Sequence, residues 1–338
     1  MEENRPLMVS IHCLAYNHEP YIRECLDGFI MQKADFRFEA IVHDDASTDG
    51  TADIIKEYAE KYPEIIKPIF EIENQYSKSD GAISKIMREH THGKYIAICE
   101  GDDYWIDPYK LHKQVSFLEE NPDYGMAYSK AYFRNGDKVY GCHGTADCSF
   151  EGLLWYSNFP TLTRLFRKSL DDRYHSEINP ESKTWMMGDY PQAFFFVFNS
   201  KIKCFDEYTA VYRLLDSSAS HSKDRDYLFK FYDSADDVRY FFIDKNNKID
   251  DTRKEYIKRQ VIKRNITYKI SYCINNNLME EAEKQYRLSY DRMSKLERRK
   301  WWIFIHSKNL YNLYFMIMRV YGKIIKTMIN NSYGWNNN

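Results

Sequence analysis

Between Leu7 and about Ser129, short apolar runs alternate with longer amphipathic stretches, and this alternation constrains the fold more than any other feature of the chain. Residues 7–13, 39–42, 65–70, 95–99 and 125–128 have the length and apolar content of strands. Residues 21–32, 51–62, 82–90 and 108–119 have helical periodicity. Asp49 opens the second of these helices, and Asp107-Pro108 opens the fourth. Strand and helix in strict alternation predict an α/β domain with a mostly parallel, doubly wound sheet. In such sheets ligands bind beyond the carboxyl ends of the strands, so the strand-to-helix junctions are the places to search for chemistry.

Those junctions are polar. Ala15-Tyr16-Asn17-His18 follows the first strand, His43-Asp44-Asp45-Ala46-Ser47-Thr48-Asp49-Gly50-Thr51 the second, and Glu100-Gly101-Asp102-Asp103 the fourth. Adjacent carboxylates repel, and they stay ionised cheaply only beside a cation. A divalent ion shared with substrate phosphates would supply one, since Mg²⁺ and Mn²⁺ take one or two carboxylates plus phosphate oxygens. A solvated loop with Asp107 capping the next helix explains the Asp102-Asp103 pair equally well in isolation. In the second junction, Asp49 or Ser47 can cap a helix with Gly50 in the turn. Capping does not require Asp44 and Asp45, and a carboxylate at that strand end could accept from a base N–H or a ribose hydroxyl.

Composition narrows the classes. Apolar residues at 43% and aromatics at 16% supply a core, and a net charge of −2 argues against a chain that binds nucleic acid over its whole surface. The seven cysteines form no CxxC pair and several sit in apolar runs, as free thiols of a reducing compartment do. The first residues are polar, with no signal-peptide core, and no run of about 18 apolar residues suggests a membrane span. The expected place is the cytoplasm, including the inner face of the plasma membrane.

Taken in order, Val9-Ser10-Ile11 with Tyr16-Asn17, the Asp44 to Thr51 segment, and Gly93-Lys94-Tyr95-Ile96 with Gly101-Asp102-Asp103-Tyr104-Trp105 resemble the family 2 glycosyltransferases of GT-A fold. The resemblance spans about residues 9–221. It implies an inverting sugar transfer from a nucleotide-sugar, with Tyr16 stacking on uracil, Asp45 holding the base, Asp102 near the ribose or diphosphate, and Asp103 on Mn²⁺ or Mg²⁺. It also implies a catalytic base at a helix start after an acceptor-binding segment, a slot that Gly188-Asp189-Tyr190-Pro191 fits. Asp189 would take a proton from an acceptor hydroxyl; its alternative task is to cap the helix that follows. The stretch from Tyr208 to Arg213, then Ser217 to His221, is similar to the family's mobile loop over the donor diphosphate, where Arg213 or His221 could bring charge and His221 could join the metal. Lys85 and Arg88, ahead of the acidic loop, are further cations that could reach the diphosphate. Two departures stand out: Leu14-Ala15 replaces a hydroxyl-bearing pair, and Glu100 stands where many members carry Asp.

Residues 136–183 read as loops and antiparallel strands forming an acceptor-side wall. Beyond about residue 222 the chain turns helical and polar, with expected helices at 224–244, 252–275 and 278–300 and an aromatic stretch to 329, so the expected division is 1–222 and 223–338. Between residues 287 and 326 ten basic residues face two acidic ones, and Leu310, Leu313, Tyr314, Ile317, Tyr321, Ile324, Ile325 and Met328 recur at helical spacing. This basic amphipathic helix would suit an anionic membrane over residues 301–328, with Trp301 and Trp302 at the headgroups, or equally a packing partner.

The expected function is transfer of a hexose or N-acetylhexosamine from a UDP-sugar to a saccharide or lipid-linked saccharide, as in cell-surface polysaccharide synthesis. Another nucleotide-sugar enzyme would want a glycine- and base-rich phosphate loop where residues 13–20 have none, and a dinucleotide enzyme would want the GxGxxG that is missing there. A non-catalytic binding relic of the fold is the third class; keeping Asp45, Asp102, Asp103 and Asp189 together speaks against it.

Overall fold

The structure is a computed structural model describing residues 5–78, 81–144, 147–155, 159–215 and 224–332, with side chains in the last helix described through Val320. It divides into two compact units, 1–238 and 239–338.

The first unit begins with β1 (Leu7–Ala15), α1 (Ile22–Ile30), β2 (Arg37–Asp44), α2 (Thr51–Lys61), β3 (Ile66–Phe70), α3 (Ala82–Glu89) and β4 (Tyr95–Ile98). β5 (Tyr104–Trp105), α4 (Lys110–Glu120), β6 (Tyr124–Asn135), β7 (Lys138–His143), α5 (Phe150–Trp155), β8 (Leu165–Arg167), α6 (Lys168–Ile178), α7 (Asp189–Asn199) and β9 (Lys201–Arg213) follow. Among the described residues these strands make one nine-stranded sheet, ordered β3-β2-β1-β4-β8-β6-β9-β5 with β7 on β6.

Val9, Ile11, Cys13 and Ala15 alternate along β1 and are all buried, the period-two pattern of a strand whose face meets the core. In β2, Ala40, Ile41 and Val42 are buried in succession because helices cover both faces of a parallel sheet. β1, β2, β3 and β4 pair in parallel as the alternation predicts. Beyond β4 the sheet departs from pure parallel order: β8 enters antiparallel between β4 and β6, and β6 and β9 run parallel beside it. The polar Ser10 is tolerated inside because its hydroxyl donates to Glu39 Oε1 at 2.7 Å and accepts from Gly93 N at 2.8 Å. Gly93 itself is required by close approach, since a Cβ there would lie 2.5 Å from Ser10 N. In the segment expected to be loops and strands, α6 is an eleven-residue helix that buries Leu170, Asp171, Tyr174 and Ile178 on one face, a spacing masked by its many charged residues.

From residue 224 the described chain is helical: α8 (Arg225–Lys245), α9 (Asp251–Asn275), α10 (Met279–Leu288), α11 (Lys295–His306) and α12 (Lys308–Ser332). The division between the compact units falls within α8. The single helix expected over 278–300 is two. Ser294 starts α11 with a capping box, its side chain taking the Glu297 N–H while Glu297 reaches back to the Ser294 N–H. The second unit buries Ile257, Val261, Ile266, Ile270, Cys273 and Ile274 of α9, and Trp301 of α11. Among the described residues no helix is long and apolar enough to cross a membrane.

Candidate active site

The parallel strands bring their carboxyl ends together at one edge, and backbone bonds fix the loops there. Cys99 N donates to His12 O at 3.1 Å, Gly101 N to Leu14 O at 2.9 Å, and Asp45 N to Ala15 O at 2.9 Å. The acidic loop Glu100 to Asp103 is thus anchored to β1 on one side. On the other it runs into Trp105, which is buried against Phe29 with ring centroids 5.0 Å apart and donates Nε1 to Leu162 O at 2.7 Å. Gly101 must be glycine or force a shift: a Cβ would meet His18 Nδ1 at 2.9 Å and the Ala15 Cβ at 3.2 Å.

Within this loop the carboxylates differ. Asp103 is 2% exposed, and its Oδ1 accepts the backbone N–H of Arg213 at 2.8 Å. Asp102 is partly exposed. Burial, reinforced by Asp102 and Glu100, holds the Asp103 carboxyl well above the usual range. Burial pushes Glu100 up to about 7, with the charges of Asp102 and then Asp189 adding to it and Arg164 opposing. A loop that strains to hold its own negative charge is chemically suited to a cation. Among the described residues, however, no three His, Cys, Asp or Glu side chains stand together as a preformed metal cluster.

Two loops are stitched beside it. Asn17 N donates to Ser47 Oγ at 2.9 Å and Asn17 Oδ1 accepts from Thr48 N at 2.8 Å. Asn17 and Ala46 both take left-handed backbone, at φ 55° and 61°, which costs most at Ala46, whose side chain offers no local hydrogen bond in return. Asp45, expected to face a base, has both carboxylate oxygens occupied, by Gln75 N at 2.6 Å and Tyr76 N at 3.0 Å. Its neighbour Asp44 accepts from Ser47 N at 3.2 Å through Oδ2, while Oδ1 is buried without a partner. His18 Nδ1 is likewise buried and unpartnered, and burial lowers the imidazole's pKa against the pull of Asp102, Asp49 and Asp44, so it is neutral at pH 7. Tyr16 is 45% exposed at the rim of this stitched pair.

Asp189 opens α7, as expected of a residue at a helix start. Its Oδ2 accepts from Thr161 Oγ1 at 3.0 Å and lies 3.7 Å from the guanidinium of Arg164. Arg164 is 1% exposed; it donates to Asp189 O at 3.1 Å and, through Nε, to Phe159 O at 3.1 Å. This buried cation faces both Asp189 and Glu100. Thr161 and Arg164 are not among the residues expected from the sequence; the available signal was an arginine inside the apolar run Leu162-Thr163-Arg164-Leu165-Phe166, where a charge is kept only if paired.

The remaining expected cations are engaged elsewhere. Lys85, on the exposed side of α3, lies 3.9 Å from Glu89 one turn on, and Arg88 is 3.3 Å from Glu181, which also meets His175 Nδ1 at 2.8 Å. Lys85 is nearest an acid of its own helix, and Arg88 an acid from outside it. Arg213 is buried with its guanidinium on the Asp102 carbonyl and the Glu24 carboxylate, 4.5 Å from the Tyr104 ring centroid and 5.1 Å from that of Tyr21. It braces the acidic loop from behind. His221 lies outside the described residues.

An α/β sheet whose parallel strands end in polar loops, one of them acidic, is the architecture of a GT-A nucleotide-sugar transferase domain. Residues 10–179 match the sequence model of the family described as Glycosyl transferase family 2, and the chain belongs to that family. An uncharacterized protein of Mycobacterium tuberculosis is 42% identical over 147 residues, covering 44% of this chain and 40% of that protein. The putative glycosyltransferase EpsE of Bacillus subtilis is 39% identical over 116 residues, 34% of this chain and 40% of its own. The UDP-Glc:alpha-D-GlcNAc-diphosphoundecaprenol beta-1,3-glucosyltransferase WfaP of Escherichia coli is 28% identical over 157 residues, 46% of this chain and 59% of its own. The matches thus span about two-fifths of the first two relatives and three-fifths of the third.

Among solved structures, Staphylococcus aureus TarS 1-349 in complex with UDP-GlcNAc superposes with a TM-score of 0.62 at 17% identity, over 85% of this chain and 80% of that one. The mannosyltransferase PcManGT of Pyrobaculum calidifontis, in complex with GDP-Man and Mn²⁺, gives 0.55 at 15% identity, over 99% and 90%. At these identities the likeness establishes the fold.

Proposed function

We propose that this protein transfers a sugar from a nucleotide-sugar, a UDP-sugar in the first instance, to a hydroxyl of a saccharide or lipid-linked saccharide with inversion at the anomeric carbon. The transferase module would occupy about residues 1–222, and the helical region 223–338 would be accessory. The observation that carries this is the placing of Asp189 at the start of α7, 3.7 Å from the guanidinium of Arg164, whose carbonyl accepts the N–H of Ile98 at the end of the strand that runs into the acidic loop. The WfaP name specifies a UDP-glucose donor and a diphosphoundecaprenol-linked acceptor, and the TarS complex holds UDP-GlcNAc; both support the donor class. A Mn²⁺ complex of a fold neighbour supports a divalent ion.

In this mechanism Asp189 accepts the proton of the acceptor hydroxyl as that oxygen bonds to the anomeric carbon. The bond from that carbon to the diphosphate oxygen breaks, with its electron pair leaving on the diphosphate. Arg164 and Thr161 hold the Asp189 carboxylate in place. Asp102, the partly exposed carboxylate, is the residue we assign to holding a divalent ion, with Glu100 near it in sequence; the task expected of Asp103 moves to its neighbour because Asp103 is turned into the fold. The ion, when bound, would neutralise charge on the departing diphosphate. Asp44 Oδ1 and His18 Nδ1, buried without a protein partner among the described residues, are the atoms we assign to the nucleoside once the loops part to admit it, with Tyr16 stacking on the base.

Calorimetric titration of UDP with and without Mn²⁺, in wild type and Asp102→Asn, tests the donor site. Metal-dependent binding lost in the variant is the expected result. No UDP binding in either condition would redirect the proposal to another nucleotide or to a non-catalytic binding module.

A further inference from the structure

We propose that the second unit lies on an anionic lipid surface through α12, with a lipid headgroup seated in the groove between α9 and α12. This goes beyond the transfer reaction and does not depend on it. Leu310, Leu313, Met316, Ile317 and Val320 are each 47% to 57% exposed. At 3.6 residues per turn they fall within an arc of roughly 120°. Over its first turns the other side of the helix carries contacts with its own unit: Tyr311 is 3% exposed and meets Phe304 with centroids 5.7 Å apart, and Tyr314 meets Phe304 at 5.1 Å; one turn on, Met318 on that side is 47% exposed and widens the apolar surface. Tyr314 therefore leaves the stripe expected from the sequence, and Met316 and Val320 join it. Trp301 is likewise buried in the unit, whereas Trp302 is 53% exposed. Ile324 and Met328 repeat the spacing further along the sequence.

Charge selects the occupant. Arg292, Lys295, Arg299 and Arg319 are exposed, and no acidic side chain pairs with them among the described residues. An apolar stripe in a unit that carries unpaired basic side chains fits a surface with apolar depth and negative headgroups, and among the described residues no helix is long and apolar enough to cross it. The groove, of about 680 Å³, borders the stripe and shares Met316 and Val320 with it; Ser271, Asn275, Asn312 and Arg319 are its polar lining. Ser271 Oγ is buried there without a hydrogen-bond partner. A cation and an unpaired hydroxyl beside apolar walls fit a phosphate headgroup with the start of its acyl chains.

The test is co-sedimentation of the full chain with phosphatidylcholine vesicles, with and without phosphatidylglycerol, at low and high salt. The wild type should be captured by the anionic vesicles alone, with capture falling roughly tenfold or more at high salt. The exposed double variant Leu313→Glu/Ile317→Glu should lose capture, and Arg319→Glu should weaken it, while both keep wild-type helical circular dichroism and UDP binding. Absence of wild-type capture, or capture unchanged by the double variant, overturns the proposal. So does light scattering that finds a wild-type dimer broken by Leu313→Glu/Ile317→Glu without any vesicle capture, since a second copy would then own the stripe.

Discussion

Asp103 accepts the backbone N–H of Arg213 at 2.8 Å across 110 residues of sequence, and this bond joins the acidic loop to the end of β9. Arg213 returns the connection by placing its guanidinium on the Asp102 carbonyl. The loop after β4 is therefore held from two directions, and adjacent aspartates have different tasks.

Asp103→Ala should lower stability by about 1 to 3 kcal/mol, the cost of leaving a buried N–H unpaired. Asp103→Asn, which keeps an acceptor and removes a charge the site disfavours, should cost less. Asp102→Asn should leave stability unchanged and abolish metal-dependent UDP binding. Chemical denaturation and calorimetry on the three variants separate these outcomes; the same UDP defect in Asp103→Asn without loss of stability would reverse the assignment.

Asp44 and Asp45 should separate in the same way. Asp44→Asn should weaken UDP binding by about tenfold to a hundredfold, the worth of a charged hydrogen bond. Asp45→Asn should instead destabilise the chain at Gln75 and Tyr76, because their N–H groups use different carboxylate oxygens and the amide puts an NH₂ donor in place of one of them. Titration and thermal melts of both variants would show it, and a normal UDP affinity in Asp44→Asn would remove Asp44 from the donor site.

Asp189→Asn should reduce the transfer rate by about a hundredfold to ten-thousandfold while UDP affinity stays at the wild-type value. The Thr161 hydroxyl can still donate to the amide oxygen, so the start of α7 should keep its structure. Donor turnover and calorimetry on one preparation test this, and retained transfer would exclude Asp189 as the base.

Lys110 is 1% exposed, with Nζ donating to Gln114 Oε1 at 3.0 Å and 4.1 Å from the centroid of Trp105; burial lowers its pKa to about 7. Between pH 7 and 10.5 the unfolded chain binds this proton more than the folded chain does, so the residue's contribution to stability grows as pH rises and is lost as pH falls toward 7. Lys110→Met should therefore stabilise the protein more at pH 6.5 than at pH 9.5, with a difference on the order of 2 to 4 kcal/mol. Denaturation curves at the two pH values decide it; an equal effect at both would mean that the ammonium is solvated.

The sequence by itself determined the alternation of strands and helices from Leu7 onward, the parallel order of the first four strands, and the three polar junctions at one edge, because period-two and period-3.6 burial are written locally in apolar spacing. It also held the capping box at Ser294 that divides the helices of the second unit, although the long charged run around it obscured the break. Tertiary structure decided the rest. Both aspartates of each pair have the same local sequence signal, yet Asp103 and Asp45 bond to backbone at Arg213 and at Gln75 and Tyr76, partners brought near by sheet closure. Arg164 gained its task because β8 entered antiparallel and carried a buried cation beside α7. Lys85 and Arg88 lie on one helix ahead of the acidic loop, and only the packing of that helix gave Arg88 to Glu181. On α12 the helical period was legible, but which residues of the stripe face inward was fixed by Phe304 meeting Tyr311 and Tyr314. Local spacing sets the element and its faces; which groups must satisfy one another is set by contacts between residues far apart in the chain.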